Sequence, residues 1–184
     1  NQFGQPEATI PEFEEMSERF EIEGFPTILL FDAQGRPYAQ TGYQPGGVEF
    51  YTEHLEQLRG ARVERDAALT AAEELKGVER AKKLDEALVT LPASLLFPAY
   101  ESIVAEIITL DTDNTAELRS QYESRLTNHQ FMTRIQALEK QVPSSENPDA
   151  VLAEIDAIEK EFGKDPRLGF IISMFRINVL NYFD

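Results

Sequence analysis

Residues 24–43 read GFPTILLFDAQGRPYAQTGY, and the fold turns on how this stretch divides. Thr27–Phe31 is a short continuous apolar run rich in strand formers, which predicts a buried strand. Asp32-Ala33-Gln34-Gly35 supplies turn residues, with Gly35 suited to the left-handed position of a hairpin. Pro37–Tyr43 alternates weakly and opens on a proline that cannot donate to a ladder, so it predicts an edge strand. Upstream, Ile10, Phe13, Met16 and Phe20 fall at helical spacing, with a Thr9/Glu12 capping-box pattern and Pro11 in the first turn. Downstream of Pro45-Gly46-Gly47, the residues Val48, Tyr51, Leu55 and Leu58 mark a second amphipathic helix.

Helix, strand, hairpin, edge strand and helix, with Gly24-Phe25-Pro26-Thr27 before the first strand, resemble the C-terminal half of the thioredoxin fold. The resemblance covers residues 9–59, and Gly42-Tyr43 with Pro45-Gly46-Gly47 looks like the thioredoxin-like, thiol–disulfide interchange proteins of bacterial cell envelopes. It implies a cis Phe25–Pro26 bond, a loop beside an active-site dithiol, and backbone groups at Phe25 and Pro26 offered to an extended substrate peptide. It also implies a periplasmic or cell-envelope setting. A proline that only starts a strand is the plainer reading of Pro26.

The family's catalytic residues cannot be carried over, because the chain has no cysteine and so no Cys-x-x-Cys. Disulfides, thiolate metal sites and thiol catalysis are therefore excluded within these 184 residues. Only one strand, 37–43, is on hand to pair with 27–31, and a lone two-stranded hairpin is marginal. The open apolar edge invites a further strand. Three sources are open: a segment upstream of Asn1, a partner chain, or the helical region folding over the sheet. Without any of them, residues 20–45 are expected to be poorly ordered. The sequence opens on Asn1, which fits either a removed leader or a piece of a longer protein.

Composition bounds the partners. The net charge of −16 disfavours nucleic acid and anionic lipid, both of which attract basic surfaces. A solvated acidic surface with no specific target is the plain reading of that charge. No run of about 18 apolar residues is evident, so no membrane-spanning segment is expected.

From residue 61 onward the patterning is helical, which places a domain boundary near Arg59-Gly60. The predicted fold class is α/β plus all-α: a partial thioredoxin-like domain over 1–60, then an all-helical domain over 61–184 built as an antiparallel bundle or short α-solenoid. Seven helices are expected there: 63–75, 78–90, one opened by Pro98, 115–126, 130–142, one opened by Pro148, and one after Pro166. Residues 81–111 and 150–180 share a plan of amphipathic helix, proline-bearing turn and more apolar helix, which suggests stacked helix pairs. The last helix is apolar almost all round, which argues for burial in the monomer or an oligomer contact.

Other candidate sites fail on chemistry. Asp111-Thr-Asp-Asn-Thr115 opens like a calcium loop, but Ala116 replaces its glycine and Tyr122 its glutamate, so helix capping explains it better. His54 and His129 lack spaced partners, and Glu14-Glu15 and Glu73-Glu74 do not share a helix face. No cofactor fingerprint is present. Two functions remain open: a thiol–disulfide oxidoreductase whose cysteines lie upstream, and a non-catalytic interaction module. Both expect a protein partner or peptide substrate, and a second copy could pair through the strand edge or the last helix.

Overall fold

The computed structural model describes residues 10–22, 24–145 and 148–183. The chain divides into two compact units between Ser124 and Arg125. Most of it is helical, with one small antiparallel sheet.

The first unit opens with α1 (Ile10–Arg19), which closes through Phe20 N–H to Met16 and Ile22 N–H to Ser17. Thr9, half of the expected capping box, lies outside the described residues. Strands β1 (Thr27–Phe31) and β2 (Pro37–Gly42) pair antiparallel from Thr27 opposite Gly42 to Leu30 opposite Ala39, with a shift before Phe31 opposite Pro37. Gly35 takes φ 74° in the turn, as its place there requires. The Asp32 carboxylate accepts the N–H groups of Gln34 and Arg36, each at 2.9 Å, and so locks the turn.

Helix α2 runs unbroken from Gly47 to Glu73, straight through the expected boundary at Arg59-Gly60. A single glycine among good helix formers costs only about 1 kcal/mol, too little to end a helix that buries Arg65, Ala68 and Ala72 farther on. Gly60 is exposed, and a Cβ placed on it meets nothing within 4 Å. Gly60→Ala is therefore expected to raise stability by about 0.5–1 kcal/mol, measured as a shift of the urea midpoint at unchanged slope.

Helix α3 (Gly77–Leu88) packs on α2, and α4 (Ala93–Leu110) packs on α3 and β2. Arg80 ties the three together, donating to Glu106 at 2.6 Å and to the Ala72 carbonyl at 2.5 Å. Pro98 lies inside α4 rather than opening it. The helix begins at Ala93 and kinks at Tyr100 (φ −128°, ψ 20°), because proline removes one hydrogen bond and crowds the preceding turn. α4 is long and apolar enough to cross a membrane, contrary to the composition-based expectation. Its Leu95, Leu96, Phe97, Tyr100, Val104 and Ile107 are nevertheless buried and its Glu106 is paired, so it reads as a core helix.

Helix α5 (Leu118–Gln141) merges the expected 115–126 and 130–142, since residues 127–129 include no Gly or Pro to break it. Its start is capped by Asp111, 1% exposed, whose carboxylate accepts N–H bonds from Ala116, Leu118 and Arg119. Burial opposes ionisation of Asp111, but those bonds outweigh it and hold its pKa below the usual carboxylate value. Asn114, within the 111–115 stretch expected to cap the helix, accepts from Ser120 N–H at 2.9 Å.

The second unit comprises α5 from Arg125, a 3₁₀ turn at Val142–Ser144, α6 (Pro148–Phe162) and α7 (Pro166–Phe183). Phe131, Ile135, Leu138, Ile155, Ile158 and Ile172 lie at its core. α7 is buried on one side only, through Leu168, Ile172, Phe175 and Val179; Phe170, Met174 and Ile177 are exposed.

Candidate functional site

The sheet is held to the helices through β2. The Tyr100 hydroxyl donates to the Pro37 carbonyl at 2.7 Å, and Ser94 on α4 bonds Gln40 at 3.3 Å. Beneath the turn, buried Arg65 of α2 donates to Asp32 Oδ2 and to Asp66 Oδ1, each at 2.6 Å, and to the Tyr100 hydroxyl. Arg36 Nε adds a second cationic contact to Asp32 Oδ2 at 2.8 Å. Of the three expected sources of cover, the helical region thus reaches the hairpin, but on its β2 side.

Burial of Asp32 opposes its ionisation, but the Arg36 N–H, the Arg65 and Arg36 guanidiniums and the Gln34 N–H outweigh it, lowering its pKa from 3.8 to about 2. Burial pushes the Tyr100 hydroxyl upward, an effect Arg65 partly offsets. For Asp32 the folded pKa is depressed, so its stabilisation is complete above the unfolded value and fades as pH falls from about 4 to 2. Loss of about 2 kcal/mol across that window is expected in urea unfolding of the chain, over and above the loss in an Asp32→Asn variant.

On the β1 side no further strand joins the sheet among the described residues. The Phe25–Pro26 bond is cis, as the resemblance implies, and Thr27 Oγ1 donates to the Gly24 carbonyl at 2.6 Å. Phe25 is 72% exposed and its ring lies 5.6 Å from that of Phe13. Gly42 faces the loop, where a Cβ would stand 2.6 Å from the Pro26 carbonyl oxygen, so only glycine permits this approach. A cleft of about 510 Å³ opens there, lined mainly by Pro26, Ile28, Tyr43, Val48, Tyr51 and Thr52. Tyr43 and Val48 are each 77% exposed. Thus Pro26 lines the cleft and Phe25 stands on its adjoining loop.

His54 bonds Thr41 at 2.8 Å, while His129 belongs to the other unit. Among the described residues no group of three or more His, Cys, Asp or Glu is placed to hold a metal. The sequence singles out Phe25 and Pro26 but does not join Tyr43, Val48 and Tyr51 to them as one surface. The signal was there: three large apolar or aromatic residues flanking the only Gly-Gly pair in the chain.

A 51-residue stretch is 31% identical to the disulfide bond reductase DsbH of Chlamydia pneumoniae, covering 28% of this chain and 31% of that protein. The match thus spans about a third of the relative's length. No protein-family model matches the chain, and no solved structure matches it.

Proposed function

We propose that the chain is part of a thioredoxin-like protein of thiol–disulfide exchange, and that these residues supply a polypeptide-binding surface rather than the thiols. The observation that carries this reading is the apolar cleft beside Phe25–Pro26, with Phe25, Tyr43 and Val48 turned to solvent. Exposed apolar surface of this kind marks interaction sites. The partial likeness to a disulfide reductase supports the redox setting. Phe25 and Pro26 contact the bound segment, and Tyr43, Val48 and Tyr51 receive its side chains. α3–α4 and α6–α7 serve as scaffold.

Fluorescence anisotropy with a labelled, extended, Val-rich peptide tests it. Val48→Asp, at an exposed first-turn position where an acidic residue suits the helix, is expected to weaken binding about tenfold. Equal binding by the variant would remove the cleft from the account.

A second reading, a non-catalytic interaction module, is favoured by the lack of any cysteine in 184 residues. Sequencing the gene upstream of the Asn1 codon separates the two. A Cys-x-x-Cys within about 70 residues supports redox chemistry, by the size of the missing half-domain. A start codon directly before Asn1 leaves the interaction module.

A further inference from the structure

We propose that a pocket in the second unit receives a cationic side chain, lysine or arginine, of a polypeptide partner, independently of the cleft beside Phe25–Pro26. The pocket measures about 250 Å³ and lies between the last turns of α5 and α7. From α7 it takes Phe175, Asn178, Val179 and Tyr182, whose spacing of i, i+3, i+4 and i+7 sets them on one helix face. Facing them are Glu139 of α5 and Val142 and Pro143 of the 3₁₀ turn. Val142, Phe175 and Val179 are buried and make the pocket apolar, while Tyr182 is exposed and stands edge-on to Phe183 at 5.2 Å.

Size and charge select the occupant. Sites that enclose whole ligands run to roughly 300–1,000 Å³, so this smaller pocket suits one side chain of a larger partner. The exposed Glu139 carboxylate accepts no hydrogen bond and joins no ion pair among the described residues. Its neighbours one turn away, Ile135, Gln136, Val142 and Pro143, bring no cation, and Lys140 at the next position points to another face. Arg176 on α7 is held by Asp156 at 2.7 Å and Glu159 at 2.5 Å.

Both helices also end at this pocket, where their last carbonyls leave partial negative charge, and α7 has no basic residue in its last turn. The Gln141 carbonyl is taken by the Ser144 and Ser145 hydroxyls, which leaves Glu139 as the anion awaiting a partner there. A lysine or arginine satisfies every feature. Its methylene stem packs on Val142, Phe175 and Val179, and its charged head reaches Glu139 and the Tyr182 ring. An acidic side chain is repelled by Glu139, and an apolar one leaves that carboxylate unpaired. The net charge of −16 favours the approach of a basic partner.

The test titrates the isotopically labelled full chain with Nα-acetylarginine amide, Nα-acetyllysine amide and Nα-acetylnorleucine amide, following backbone amides by NMR. The two cationic probes are expected to bind in the millimolar range, about threefold or more tighter than the norleucine probe, with shifts at residues 139–143 and 175–182. Glu139→Gln and Tyr182→Leu, both at exposed positions, are each expected to weaken arginine binding about threefold. The effect of Glu139→Gln is expected to shrink toward about 0.5 M salt. A norleucine probe that binds as tightly as the cationic ones overturns the cationic occupant. Shifts that spare residues 139–143 and 175–182, or affinities that both variants leave unchanged, overturn the site.

Discussion

Arg65→Ala is expected to lower the unfolding free energy of the first unit by about 3 kcal/mol, enough to unfold a marginal domain on mild warming. Arg65 is 4% exposed and spans three elements, meeting Asp32 of the turn, Asp66 of its own helix and Tyr100 of α4. Removing it strands the Asp32 carboxylate, whose side chain is 1% exposed, inside the protein. Arg36 still contacts Asp32 at 2.8 Å, which holds the loss to the lower part of the range seen for broken buried pairs. Tyr100→Phe, which removes the hydroxyl bond to Pro37 while keeping the ring, is expected to cost only about 1 kcal/mol. Urea unfolding of both variants gives the comparison. A loss below 1 kcal/mol in Arg65→Ala would mean that the hairpin is not tied to the helices through this residue.

Ile155→Ala is expected to cost about 3–4 kcal/mol, read in amide exchange of residues 125–183. Ile155 is fully buried among Phe131, Ile158 and Ile172, and truncation leaves a cavity that three helices cannot readily close. Exchange accelerated instead in β1, β2 and α2 would contradict the division of the chain after Ser124.

Much of this architecture is legible in short-range pattern. The turn at Asp32–Gly35, both strands and the helix starts at Gly47, Pro148 and Pro166 follow from periodicity and turn chemistry. Gly60 and residues 127–129 misled because local propensity is weak beside the burial of Ala68 or Phe131 farther along the same helices. Pro98 carried two meanings, a helix opener or a kink, and packing of Leu95 and Leu96 chose the second. The Asp32–Arg65–Tyr100 cluster was invisible, because its members are 33 and 35 residues apart and no spacing rule links them. The site was half legible. Gly24-Phe25-Pro26-Thr27 announced the loop, but the cleft exists only once Gly42 lets the loop meet β2 and α2 brings Val48 and Tyr51 alongside.

The central claim is that a polypeptide docks in the cleft beside Phe25–Pro26. Titrating the isotopically labelled chain with the extended, Val-rich peptide and following backbone amides by NMR tests it most directly. Shifts confined to residues 24–31 and 42–53 are the predicted result. Shifts confined to α6 and α7, or none at peptide saturation, would contradict it.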